Sequence, residues 1–130
     1  MTPARNVVDS SGWLEYLADG PNADFFAGPL AEPDALIVPT ISVFEVFKRV
    51  LQQRDETTAL QVAALMQQGK VVDLDLGLAL LAGRLSVDLK LPMADAIILA
   101  TARRFGAVLW TQDADFDGIS GIRYLGKTAR

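Results

Sequence analysis

The 130-residue sequence predicts an α/β fold, with a central parallel sheet of four or five short strands flanked by helices. Three observations lead there. Apolar runs too brief for helices alternate along the chain with longer segments of helical periodicity. Two acids, Asp9 and Asp113, stand at the C-terminal ends of such runs, where open α/β sheets place their ligand sites. No internal repeat, low-complexity stretch or linker divides the chain, so a single domain over residues 1–130 is expected.

Asn6 to Asp9 reads as the first strand, followed by a helix with a Trp13, Leu14 and Leu17 stripe. Ser10 or Ser11 is the expected N-cap, with Asp9 itself as the alternative. Pro21 to Pro33, punctuated by Gly28-Pro29 and Glu32-Pro33, reads as short helical pieces and turns, or one broken helix. Ala35 to Val38 is a second strand closed by Pro39. Thr40 to Gln53 is a helix with a broad apolar face, capped by Thr40 or Ser42. Thr57 to Gln68 is another helix, ended by Gly69.

Val71 to Leu74 makes a third strand, and Leu76 to Leu89 a helix built on Leu78, Leu81, Ala82 and Leu85. Pro92 then opens a helix from Met93 to Phe105, with Gly106 as its C′ residue. Ala107 to Trp110 is a buried strand, Asp115 to Gly118 a helical turn, and Ile122 to Leu125 the last strand. A basic tail runs from Gly126 to Arg130.

Composition narrows the chemistry. With no histidine and no cysteine, His-based acid–base catalysis, Ser-His-Asp triads, Cys-His dyads and the usual zinc sites are excluded. An enzyme built from this chain must use carboxylates, hydroxyls, Lys or Arg, or a hard metal ion. The absence of cysteine suits a reducing cytoplasm. No apolar run approaches the ~18–20 residues of a membrane span, and strand-like Val7-Val8 comes too early to leave room for a signal peptide. A net charge of −4 argues against broad nucleic-acid affinity. Setting four acids aside as metal ligands leaves acidic and basic residues balanced at 12 each, so a nucleic-acid substrate stays open.

Four acids stand out. Asp95 lies in the first turn of a helix apolar almost all round, which marks a buried helix. A buried carboxylate needs a partner or a metal to offset its desolvation, although an ion pair or the helix dipole would also account for it. Glu45 sits one turn into its helix and has an ordinary i+4 partner available in Arg49. In a parallel sheet, Asp9, Glu45 and Asp113 can converge at a topological switch point. Asp95 joins them if its helix docks N-terminus first against the same edge.

The blocks VVDSSGWLEYL, VPTISVFEVFKRVL and LPMADAIILATARRFGAVLWTQDADF, with the spacing Asp9, Glu45, Asp95, Asp113, resemble the PIN-domain nucleases and in particular the VapC-type toxins. Residues 55–90 match only in pattern. The resemblance implies a three-layer PIN-like fold and a Mg²⁺- or Mn²⁺-dependent endoribonuclease that cleaves structured RNA and is restrained by a small antitoxin. It also implies Asp9, Glu45, Asp95 and Asp113 as metal-binding catalytic acids, Asp115 as a supporting or second-metal acid, and Thr111 as the supporting hydroxyl. Metal-activated water would then leave 5′-phosphate ends.

Lys48, Arg49, Arg84, Arg103 and Arg104 are the basic residues available to flanking RNA phosphates, or simply solvated helix surface. Phe44, Phe47, Val62 and Met66 either fill the core or form a surface covered by an antitoxin segment or a second copy in a homodimer. Two other classes compete. A receiver or haloacid-dehalogenase-like phosphatase would need an acidic pair or Asp-x-Asp after the first strand, and here Asp9 is followed by two serines. The other is a PIN-like module that binds a protein and cleaves nothing.

Overall fold

The computed structural model describes residues 4–127, so the last three residues of the basic tail lie outside it. Five short strands carry the fold: β1 (Asn6–Val8), β2 (Ile37–Pro39), β3 (Lys70–Val72), β4 (Val108–Thr111) and β5 (Ile122–Tyr124). They pair in parallel as a three-stranded sheet, β1-β4-β5, and a two-stranded sheet, β2-β3. One isolated parallel bridge, Asn6 to Leu36, links the two. The expected single sheet is therefore split three plus two. Strands of three or four residues have so few ladder bonds that one missing pair interrupts the sheet. Through the bridge the order reads β3-β2-β1-β4-β5, and its direction reverses between β1 and β4.

Helices cover both faces. On one side lie α1 (Ser10–Leu17), α2 (Ala23–Leu30), α3 (Thr40–Gln53) and α4 (Glu56–Met66); on the other lie α5 (Leu76–Leu89) and α6 (Met93–Arg104). The division starts with strand alternation in β1. Val7 faces the α5–α6 core with Leu109, while Val8 faces the other core with Trp13, Phe26 and Val46. Both valines are fully buried, which makes the arrangement three-layered.

Helix starts differ from expectation in an informative way. Asp9, Asp55 and Asp75 cap α1, α4 and α5, each accepting the backbone N–H three residues on. Neither Ser10 nor Ser11 caps α1, and α3 leaves Pro39 without a side-chain cap from Thr40 or Ser42. The Pro21–Pro33 stretch holds one helix, α2, which keeps Pro29 inside its last turn, and a 3-10 turn at Pro33–Ala35. Gly106 follows α6 at φ +61°, the left-handed residue that glycine tolerates best. Ala96 to Ala102 are all buried, so the middle of α6 is enclosed on every side.

Met66 lies wholly inside the core, and Phe47 and Val62 are partly buried against it, so these three do not form the exposed patch considered above. Phe44 alone of the four stays largely exposed. No helix among the described residues is long and apolar enough to cross a membrane.

Gly12 brings α1 close to β1. A Cβ at that position would lie 2.6 Å from the Phe26 ring and 2.7 Å from the Val8 side chain. Gly12→Ala should destabilise the protein by about 1–3 kcal/mol through overpacking, read as a lower urea midpoint with an unchanged slope. An unchanged midpoint would mean that α1 is not packed this tightly.

Candidate metal centre

The C-terminal ends of β1 and β4 lie side by side at the point where the strand order reverses, and a cleft of about 430 Å³ opens there. Asp9 follows β1, Asp113 follows β4, Glu45 lies in the second turn of α3, and Asp95 in the first turn of α6. All four line the cleft. Parallel strands return the chain to the same edge, which is why acids from four elements meet although 104 positions separate the first from the last.

Asp9 is almost completely buried and holds three donors. Gly12 N–H lies at 2.8 Å, the Ser11 hydroxyl at 2.8 and 2.9 Å from its two oxygens, and the Thr111 hydroxyl at 2.5 Å. The same Thr111 oxygen accepts the Asp113 N–H at 2.9 Å, and Asp113 in turn accepts the Asp115 N–H at 2.9 Å. A chain of hydrogen bonds thus ties the loop after β4 to the acid after β1. Glu45 is held separately, accepting the Ser10 hydroxyl at 2.6 Å. The Glu45–Arg49 ion pair does not form: among the described residues the one ion pair joins Arg104 and Asp75.

Asp95, Asp113 and Asp115 each offer an oxygen within 4.8 Å of the others, close enough for one cation and its waters to bridge. Burial pushes the Asp9 carboxyl up to about 6, against the pull of its three donors. Asp95 is pushed up to about 7, first by burial and then by the negative charges of Asp113, Asp9, Asp115 and Glu45. Carboxylates crowded in this way favour a bound cation, because it removes the repulsion that otherwise holds protons on them. The donors are all oxygen, without histidine or cysteine, which suits Mg²⁺ or Mn²⁺ over zinc or copper. The residues present therefore fit a hard divalent ion.

The family model for the PIN domain matches residues 7–122. The chain belongs to the PIN-domain family. Solved structures with a similar fold include a toxin–antitoxin complex from Klebsiella pneumoniae, at 23% identity and TM-score 0.76, over 91% of this chain and 95% of that one. DNA-bound VapBC from Salmonella typhimurium matches at 17% identity and TM-score 0.72, over 95% and 98%. VapC20 from Mycobacterium tuberculosis, a sarcin–ricin-loop-cleaving toxin, matches at 18% and 0.72, over 88% and 95%. No curated protein matches the chain.

Beside the acids, this PIN domain lines its cleft with Lys48 and Arg49. The other basic residues lie elsewhere. Arg84 is exposed on α5 and lines no part of the cleft. Arg103 and Arg104 end α6, about 12 Å of helix rise or more from Asp95, and Arg104 is engaged by Asp75 at 2.7 Å. Ser10 and Ser11, expected from the sequence only as helix caps, are site residues bonded to Glu45 and Asp9. Their position directly after Asp9 was the available signal, but it pointed equally to a helix cap. Phe44 and Gln52, which also line the cleft, carried no chemical signal in the sequence.

Two outcomes follow from these contacts. Removing the Thr111 hydroxyl strands a buried carboxylate oxygen and the Asp113 N–H together. Thr111→Val should therefore cost about 1–3 kcal/mol of stability and weaken Mn²⁺ binding by about 10- to 100-fold, whereas Thr111→Ser should restore most of both. Urea denaturation and calorimetry measure the two; equal effects of Val and Ser would remove the hydroxyl from the account.

The second outcome concerns pH. Asp9 and Asp95 bind protons more tightly folded than unfolded, so without metal the native state carries extra protons between pH ~4 and ~7. Stability must then fall as pH rises through that window. Asp55 and Asp75, whose carboxyls are held low by hydrogen bonds, act only below it. In EDTA the melting temperature should drop from pH 5 to pH 7.5, and Asp95→Asn should flatten the drop. A curve that rises over this range in EDTA would contradict the assigned burial.

Proposed function

We propose that this PIN domain is a VapC-type toxin, a Mg²⁺- or Mn²⁺-dependent endoribonuclease that cleaves structured RNA in the cytoplasm and is held inactive by a small antitoxin. The observation that carries the reading is the meeting of Asp9, Glu45, Asp95 and Asp113 in one cleft, with two of their carboxyls pushed up. The solved toxin–antitoxin complexes of similar fold support the antitoxin partner.

Asp95, Asp113 and Asp115 would hold the ion, with Asp9 and Glu45 adding their carboxyls from the same cleft. When bound, the ion supplies positive charge to the scissile phosphate and acidifies a water. The residues of the chain do the rest. Thr111 and Ser11 keep Asp9 aimed at the cleft, and Ser10 does the same for Glu45. Lys48 and Arg49 supply positive charge on the α3 side, where a flanking phosphate would rest. With no histidine available, a carboxylate in the cleft takes the proton from the attacking water. The water oxygen bonds to phosphorus, the bond to the 3′-oxygen breaks, and that oxygen leaves as a hydroxyl, taking a proton from solvent water while the carboxyl returns its own to solvent.

Purified protein should cleave structured RNA in Mg²⁺ or Mn²⁺, with EDTA, Asp9→Asn or Asp95→Asn each lowering the rate by at least about 100-fold. The products should carry 5′-phosphate and 3′-hydroxyl ends. Cleavage that persists in EDTA, or 2′,3′-cyclic phosphate ends, would show a metal-free attack by the RNA's own 2′-hydroxyl. Absence of both cleavage and Mn²⁺ binding would favour a protein-binding module.

A further inference from the structure

Phe44 stands on the wall of the cleft and is 55% exposed, more than any other aromatic residue among those described. Its own helix shows the structural alternative, since Phe47, three positions on, is partly buried against the core. Single exposed apolar residues are common, so the surroundings of Phe44 decide its meaning. Of the residues lining the cleft only Phe44 and Leu14 are apolar; the rest are acids, serines, Lys48, Arg49 and Gln52. The adjacent Glu45 accepts the Ser10 hydroxyl at 2.6 Å, which ties this turn of α3 to α1. The turn that carries the ring is therefore held beside the acids.

A cation accompanies the ring. Lys48, one turn on, holds its Nζ 5.8 Å from the ring centroid. Arg49 lies on the same wall, with Gln52 beyond it, so α3 offers a flat apolar ring and two cations along about 12 Å of helix. Neither cation is taken by an acid, because the one ion pair among the described residues joins Arg104 and Asp75. An apolar side chain of a protein partner gains little from such a wall, where the charged groups around the ring would have to be desolvated. A nucleotide matches both halves of it, with a π-face for the ring and a phosphate for the cations.

We propose that Phe44 is the platform on which a base next to the scissile phosphate stacks, while Lys48 and Arg49 hold the phosphate of that nucleotide. The inference rests on the nuclease reading of the cleft and deepens it. Stacking on a protein ring needs a free face of the base, and a base inside a duplex offers none. The cleft thus takes RNA at an unpaired nucleotide turned out of any helix. Because every base has a π-face, the ring adds affinity with little choice among bases.

The probe is a short single-stranded RNA carrying 2-aminopurine, whose fluorescence falls when the base stacks. It is titrated with the full chain in Ca²⁺, which supplies charge to oxygen ligands in place of Mg²⁺, and checked intact on a gel. Wild type should bind with quenching. Phe44→Ala should weaken binding by about 5- to 100-fold and lose the quenching, whereas Phe44→Tyr should restore both. Annealing the probe to its complement should abolish the quenching in wild type. In cleavage of structured RNA, Phe44→Ala should raise KM far more than it lowers kcat, since the base is stacked in ground and transition states alike. Its Mn²⁺ affinity and urea midpoint should match wild type, which separates loss of the platform from loss of the metal site or the fold. Equal binding by Phe44→Ala and wild type, or equal quenching by the duplex, would overturn the proposal. So would a Phe44→Ala protein that cleaves normally but no longer retains a co-expressed antitoxin, since the ring would then be an antitoxin contact. Cleavage indifferent to Phe44 removes the platform alone; a wild type that neither binds Mn²⁺ nor cleaves removes the nuclease reading and the platform with it.

Discussion

The hydrogen bond from Thr111 to Asp9 joins the ends of two adjacent parallel strands, and the acid-lined cleft is built around it. Register alone brings Val8 opposite Trp110, leaving the next residues of both strands at the sheet edge. Thr111 spans the remaining gap. Its hydroxyl donates to Asp9 and accepts from the N–H of Asp113, so one buried oxygen fixes an acid from each strand. A valine of similar shape would fill the space and satisfy neither group.

That bond holds a charge arrangement the protein cannot relieve by itself. Each donor to Asp9 favours its ionised form, yet burial outweighs the three together and lifts the carboxyl to about 6. Burial also raises Asp95, which has no such set of donors, and the four acids facing it add to the rise, to about 7. A site whose carboxylates compete for protons near neutrality is prepared for a cation, because the cation replaces protons and repulsion at once. The absence of histidine and cysteine keeps the donor set hard.

Rigidity under this edge comes from α6. Seven consecutive buried residues, Ala96 to Ala102, leave the middle of that helix no solvent face, so its packing anchors the first turn that carries Asp95 to the cleft. The neighbouring α5 is the opposite case, with one stripe buried against α6 and the other left apolar and exposed. Together the two helices form a layer that is fixed inwardly and unsatisfied outwardly. The cleft opens along the edge of this layer, near Met93 and Asp95.

Much of this could be read directly from residue order. The bounds of α3 and α5 follow from apolar periodicity, and the end of α6 follows from Gly106. Asp9 and Asp113 declared themselves by standing at strand ends, and Asp95 by interrupting an apolar helix. These are local signals, since they depend on residues within a turn or a strand of one another. What stayed hidden was every feature that depends on which surfaces meet. Asp9 caps α1 as well as lining the cleft, and neighbouring serines could not be ranked against it without the backbone geometry. Glu45 turned to Ser10 on α1 instead of Arg49 on its own helix, a choice made by the 35-residue contact between α1 and α3. Met66 went inward and Leu80 outward although both are apolar residues on amphipathic helices. Periodicity gives a helix its stripes, but which stripe faces the core is decided by the layer it packs against, and that contact lies far away along the chain.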